Sequence, residues 1–252
     1  GVVAYFEMAQ KMVVQLRALI AVAHRSLVPT LADLHERNPA LLETVYVKSY
    51  RLLLYLLLPS LPLLIALTPF VSELWIGTYE PLFMIFAALL FTGWFLNLLS
   101  IPAYIANLGT GHLRWNVWGH ITIGVLNGLL GGLLGWLYGP IGVVVGFVTA
   151  LLAGSVLIAL TYQRAHGIRA SDLVQADSLL LGLASLVGGA LILTLYSVYH
   201  DALNLFVLGG LMVVVYLAVT ALPLWRHPVR QQLYGWLLHL VPGRAAEPSV
   251  EG

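Results

Sequence analysis

Apolar residues run along this chain in helix-length blocks, interrupted at intervals by short polar turns. About 20 apolar residues are needed to cross roughly 30 Å of hydrocarbon, and the blocks predict seven spans. The first runs from Val2 to Asp33, and the polar stretch His35-Glu36-Arg37-Asn38-Pro39 ends it. The second covers about 47–75, with Pro59, Pro62 and Pro69 inside it. Each proline lacks an N–H and crowds the preceding turn, so this helix is predicted to bend or break. After the Gly77-Thr78-Tyr79-Glu80-Pro81 turn, a third span occupies about 82–107. From Trp115 to Gln163 there is no charge for 49 residues, too many for one span. The break is placed at Tyr138-Gly139-Pro140, giving a fourth span at about 115–137 and a fifth at about 141–162. A polar segment over 163–177 precedes the sixth span at about 178–199, and His200-Asp201-Ala202 leads into the seventh at about 203–225. In the tail, Leu233 to Val241 has the pattern of a short interfacial helix anchored by Tyr234 and Trp236.

The first block differs from the rest. It carries Glu7, Lys11, Arg17 and Arg25, together with Gln10, Gln15 and His24. At about 100° per residue, Glu7 and Arg25 share a meridian. Lys11 and Gln15 fall to one side of it, Gln10, Arg17 and His24 to the other, so polar residues occupy about half of the helix surface. Ionisable groups at membrane depth cost about 2.5–3.5 kcal/mol each on insertion scales, and they normally face water or a partner. A polar half-face on a spanning helix is therefore a candidate transport pathway.

Composition agrees with a polytopic all-α membrane protein: 60% of the 252 residues are hydrophobic and 9% charged, with a mean hydropathy of +0.91. The absence of cysteine excludes a disulfide framework and a thiolate metal site. The net charge of +1 says little, because the placement of Lys and Arg decides orientation. Threading seven spans puts Arg37, Lys48, Arg51, Arg114, Arg164, Arg169, Arg226, Arg230 and Arg244 on one side. That is nine cations against zero on the other. The positive-inside rule makes the basic side cytoplasmic, with the C-terminus on it. Residue 1 then starts on the far side, and an odd number of further spans is expected upstream.

Glycines recur at small-xxx-small spacing: Gly124/Gly128/Gly132, Gly131/Gly135/Gly139 and Gly142/Gly146. All three rows are expected to bring spans four and five together, as static packing or as a sliding surface.

Several phrases resemble oligosaccharide flippases of the polysaccharide-transporter type, in the superfamily that also contains MATE multidrug exporters. They are Val3-Ala4-Tyr5-Phe6-Glu7-Met8-Ala9-Gln10-Lys11-Met12-Val13, Glu73-Leu74-Trp75-Ile76-Gly77, Asn97 through Pro102 and Tyr104, the Gly109/Gly111/Arg114 turn, and Asn127 through Gly139-Pro140-Ile141-Gly142. Together they cover most of residues 1–165. The resemblance implies fourteen spans in two lobes plus an appended pair, of which this chain holds the last seven. Residues 1–165 would be five spans of the second lobe, 166–226 the appended pair, and 227–252 a cytoplasmic tail. The implied activity is flipping of a lipid-linked oligosaccharide, such as an O-antigen or polysaccharide unit, across the bacterial inner membrane. The implied partners are that substrate, the bilayer and a missing N-terminal lobe, with no nucleic acid. No cofactor is implied beyond coupling to H⁺ or Na⁺.

On this resemblance, Arg17 and Lys11 contact the diphosphate, Arg as a bidentate donor and Lys as a point charge. Arg25 and His24, nearer the cytoplasmic end, attract the incoming head group. Glu7 neutralises Lys11 one turn away or exchanges the coupling ion. Gln10, Asn97 and Asn127 complete the cavity lining. The plainer readings are an i,i+4 pair for Glu7 and Lys11, a snorkelling Arg25, and interhelical hydrogen bonds for the asparagines. A MATE-type cation antiporter is the alternative, but it favours acidic cavities over this cationic span. A membrane-embedded glycosyltransferase or acyltransferase would need convergent catalytic carboxylates, and outside loops and tail the chain offers Glu7 and Glu73. No nucleotide-binding motif is present.

Overall fold

The structure, a computed structural model, describes the backbone of residues 1–25 and 40–230 and the side chains of 1–15 and 41–230. The expected interfacial helix over 233–241 lies outside the described residues. The elements are α1 (Val2–Arg25), α2 (Ala40–Ala66), α3 (Thr68–Ile76), α4 (Pro81–Leu98), α5 (Ile101–Gly109), α6 (Arg114–Ala165), α7 (Ala170–Leu173), α8 (Ala176–Tyr199) and α9 (Leu205–Arg226). Among the described residues, five helical stretches are long and apolar enough to cross a membrane, the longest being Arg114–Ala165 with 52 residues. α1 adds a charged helix of 24 residues, roughly 36 Å at the standard rise. The chain is a multi-pass, all-helical membrane protein.

The prolines act as their chemistry dictates, though unequally. Pro59 and Pro62 lie within a continuous α2, whereas Pro69 opens α3 after a break at Leu67. The third predicted span divides in the same manner. α4 ends at Leu98, Ser100 Oγ donates to the Asn97 carbonyl at 2.7 Å, and Pro102 sits in the first turn of α5.

The 52-residue α6 is two arms folded back on each other. Gly139 holds φ +64° and ψ −145°, a left-handed conformation that glycine adopts without a Cβ clash. Pro140 then starts the second arm with a φ already suited to a helix. Close approaches run down the pair in antiparallel order: Gly142 against the Leu134 carbonyl, Gly146 against Gly131, and Gly154 against the Gly119 carbonyl. A Cβ on Gly146 would lie 2.6 Å from the Gly131 nitrogen, so the backbones meet only because side chains are absent there.

One glycine expectation is corrected. Gly124, Gly128 and Gly132 have open space where a Cβ would be and take no part in the hairpin. Gly119, Gly131 and Gly135 form the first arm's packed side. Both rows have the same spacing on one helix, and spacing alone does not say which one faces the partner.

The main core joins α1, α2, α4 and the second arm of α6. Ala9, Val13, Leu53, Phe83, Phe86, Leu90, Phe91, Val144 and Val148 are buried together. α8 and α9 pack on each other and on α2. Gly189 of α8 rests against Pro62, and Gly209 of α9 against the ring of Phe70. At the basic end, Tyr46, Tyr162, Ile168 and Leu173 close a second core. There the Arg51 guanidinium donates twice to the Asp172 carbonyl, at 2.9 and 2.6 Å.

Candidate functional site: the charged face of α1

α1 packs against α4 with a narrow apolar stripe. Ala9 and Val13 are fully buried, and Phe6 meets Phe86 edge to face at 6.1 Å. These positions recur at helical spacing, which fixes the rotation of α1 about its axis. The opposite face carries Glu7, Lys11, Val14 and Gln15, all exposed. Glu7 and Lys11 therefore stand one turn apart on a surface that the other described residues leave open. A row of acid and base on an uncovered helix face can hydrogen-bond or neutralise a charged ligand, provided another wall excludes lipid.

Gln10 is placed differently. It flanks the packed stripe, is half-buried, and its Oε1 has no hydrogen-bond partner among the described residues. The side chains of Arg17, His24 and Arg25 lie outside the described residues. At the start of α1, Tyr5 lies beside the Glu80 side chain. The Glu80 N–H in turn donates to Ser72 Oγ at 2.8 Å, and Ser72 Oγ donates to the Thr78 carbonyl at 2.9 Å. The start of the charged helix is thus tied to the turn between α3 and α4.

The two candidate asparagines have separate surroundings. Asn97 Nδ2 donates to Ser155 Oγ at 2.7 Å, and Ser155 Oγ donates on to the Leu151 carbonyl at 2.6 Å. This bond joins α4 to the second arm of α6. Asn127 is exposed on the first arm, and no element brings it to α1. The site is therefore not one constellation but a charged helix face, with Asn97 in the packing behind it.

Three polar connections were not legible in the sequence. Asn107 Nδ2 donates to Asn116 Oδ1 at 2.9 Å, and Asn116 Nδ2 donates to the Tyr104 carbonyl at 2.9 Å, with both amides buried. Their only signal is position, since each lies on a helix flanking the turn at 109–114. Tyr196 donates to Glu73 at 2.5 Å across 123 residues. His227, 2% exposed, bonds Ser178 Oγ through Nε2 at 3.1 Å, while its Nδ1 accepts from the Val229 N–H at 3.3 Å. Because Nδ1 accepts, Nε2 carries the proton and donates to Ser178. Burial holds the His227 pKa below the ordinary histidine value of 6.5, against a smaller opposing pull from Asp177.

No protein-family profile and no curated protein matches the sequence. Among solved structures, the fold matches a lipid II flippase, MurJ, in an inward closed conformation, with a TM-score of 0.67 and 14% identity. The match covers 94% of this chain and 48% of that one. The chain spans about half the length of that flippase, and at this identity the likeness is one of fold.

Proposed function

We propose that this chain forms one half of an alternating-access transporter that flips a lipid-linked oligosaccharide across the bacterial inner membrane, with its basic side and C-terminus in the cytoplasm. The observation that carries the reading is the rotation of α1. Its apolar stripe is spent on α4, and Glu7 and Lys11 are left on an exposed face. A pyrophosphate and a sugar chain lose their hydration when they enter hydrocarbon, and cationic and hydrogen-bonding groups in a cavity replace it. Lys11 and Arg17 supply the positive charge, Arg17 with the geometry for two phosphate oxygens. Glu7 sits one turn from Lys11, where it neutralises the cation between cycles or exchanges H⁺ or Na⁺. His24 and Arg25 attract the head group at the cytoplasmic mouth. The facing wall is a second lobe, consistent with a fold match that spans 48% of a flippase chain.

The test is complementation of a flippase-deficient strain by the transporter that contains this chain. Lys11→Ala and Arg17→Ala should abolish surface polysaccharide while membrane insertion stays intact, and Lys11→Arg should retain part of it. Undiminished polysaccharide in both alanine variants would overturn the reading.

A further inference from the structure

On the basic side, α5 and the first arm of α6 line a groove of about 480 Å³. Tyr104 and Leu108 line it from α5, and Leu113, Val117, His120 and Ile121 from the turn and α6. Leu113, Val117 and Ile121 follow one another at i,i+4, so this wall continues for about 12 Å along the helix from the turn into the apolar span. Leu108, Leu113, Val117 and Ile121 are 41–53% exposed. The groove is therefore an open apolar channel running lengthwise down a membrane helix, the shape an acyl chain fills.

Its two ends differ chemically. At the turn, His112 and Arg114 flank Leu113, and the Arg114 guanidinium stacks on the Trp115 ring at 5.3 Å. An indole beside an arginine at a helix end is the composition of a membrane–water interface. From Pro81 to Ser171 the chain contains no Asp or Glu, so Arg114 has no local acid on either of the two helices that form the groove. Further inward, His120 packs edge-on against Tyr104 at 5.7 Å and remains exposed. It offers a ring nitrogen about 9 Å further along the helix than Arg114. Asn116, also in the lining, is committed to Asn107 and the Tyr104 carbonyl.

We infer that this groove is a binding site for one anionic phospholipid, with its phosphate at Arg114 and one acyl chain along Leu113, Val117 and Ile121. The charge at the mouth selects an anionic over a zwitterionic head group. The apolar length excludes a free phosphate or a soluble peptide. The inference does not rest on the proposed function, since none of the described side chains of α1 lines the groove.

Native mass spectrometry of the full chain tests the site. The chain is extracted from vesicles of equal parts phosphatidylglycerol and phosphatidylcholine, and retained lipid is counted. The wild type should keep one phosphatidylglycerol with a preference of about fivefold, the weight of one basic residue near an anionic surface. Arg114→Gln should bring the preference close to unity while a lipid is still retained. Val117→Trp, which fills the groove, should abolish retention of either lipid. Leu129→Trp, on an exposed part of the same helix outside the groove, should behave as wild type and show that a surface tryptophan is tolerated. Equal retention of both lipids by the wild type, or an unchanged preference in both groove variants, would overturn the inference. So would displacement of the retained lipid by undecaprenyl phosphate, which would give the groove to a transport substrate instead.

Discussion

The hydroxyl of Tyr196 donates to the carboxylate of Glu73 at 2.5 Å, joining the end of α8 to the end of α3. Tyr196 is 5% exposed, and its ring also stacks with Tyr79 at 6.5 Å and His200 at 5.4 Å. His200 Nε2 lies 3.3 Å from Asp201, so the contact continues into the turn before α9. The α8–α9 pair is thereby fastened to the rest of the fold at the end opposite the basic side. Tyr196→Phe keeps the ring contacts and removes only the donor. The expected loss is about 1–2 kcal/mol, toward the lower end for a hydrogen bond to a charged group because Glu73 is partly exposed. Thermal unfolding in detergent measures it, and Glu73→Gln combined with Tyr196→Phe should cost less than the sum of the two single changes.

The glycines of α6 make opposite predictions at one spacing. Gly146→Ala places a Cβ 2.6 Å from a backbone nitrogen of the other arm, and the arms must separate to admit it. Overpacking of this kind costs about 1–3 kcal/mol. Gly128→Ala meets nothing within 4 Å, so it should be neutral or stabilising by up to about 1 kcal/mol, as expected of glycine in a helix interior. The melting temperatures of the two variants should therefore move in different directions or by clearly different amounts.

Asn116 serves two partners at once, the Asn107 amide and the Tyr104 carbonyl. Asn116→Leu leaves the buried Asn107 amide without its acceptor and removes a second donor from the Tyr104 carbonyl, at a cost of about 1–3 kcal/mol. Replacing both asparagines by leucine should restore part of that loss. A double-mutant cycle should return a coupling of about 0.6 kcal/mol, up to about 1.7, the range for polar contacts between membrane helices.

His227 gives a pH dependence with a definite sign. Burial disfavours its charged form, so its folded pKa lies below the ordinary value of 6.5. Above that value neither the folded nor the unfolded state binds the proton, and the residue adds no slope. As pH falls below 6.5 the unfolded state takes up a proton that the folded state resists, and stability falls until the folded pKa is passed. Protonation would also turn Nδ1 into a donor facing the Val229 N–H, which it now accepts. Melting temperatures between pH 5 and pH 8 should show a decline on the acid side that His227→Gln reduces.

Much of this arrangement is local and was legible for that reason. The break at Gly139-Pro140 follows from an uncharged run too long for one crossing, and the break in the second span follows from its prolines, whereas the third span was expected whole and divides ahead of Pro102. The rotation of α1 is only partly readable. Periodicity separates Glu7 and Lys11 from Ala9 and Val13, but Gln10, counted among the polar positions, flanks the packed stripe and is half-buried. The contacts of Glu73 with Tyr196, of His227 with Ser178 and of Arg51 with Asp172 join residues 49 to 123 positions apart. No pattern along the chain encodes such a pairing, since it depends on where α8 settles against α2 and α3. Asn97 and Asn127 looked alike in sequence, each a polar residue deep in an apolar run. Packing separates them, giving one a serine partner and leaving the other at the surface.

The reversal at Gly139 bears on how the protein is made. The two arms of α6 are joined by a single left-handed residue, and no polar loop intervenes between Trp115 and Gln163. The first arm has nothing beyond its end to anchor in water on the far side while it waits for the second. Its backbone contacts at Gly119 and Gly131 are with Gly154 and Gly146, which leave the ribosome later. The arms are therefore expected to enter the bilayer as a paired hairpin, with two helices rather than one as the unit of insertion.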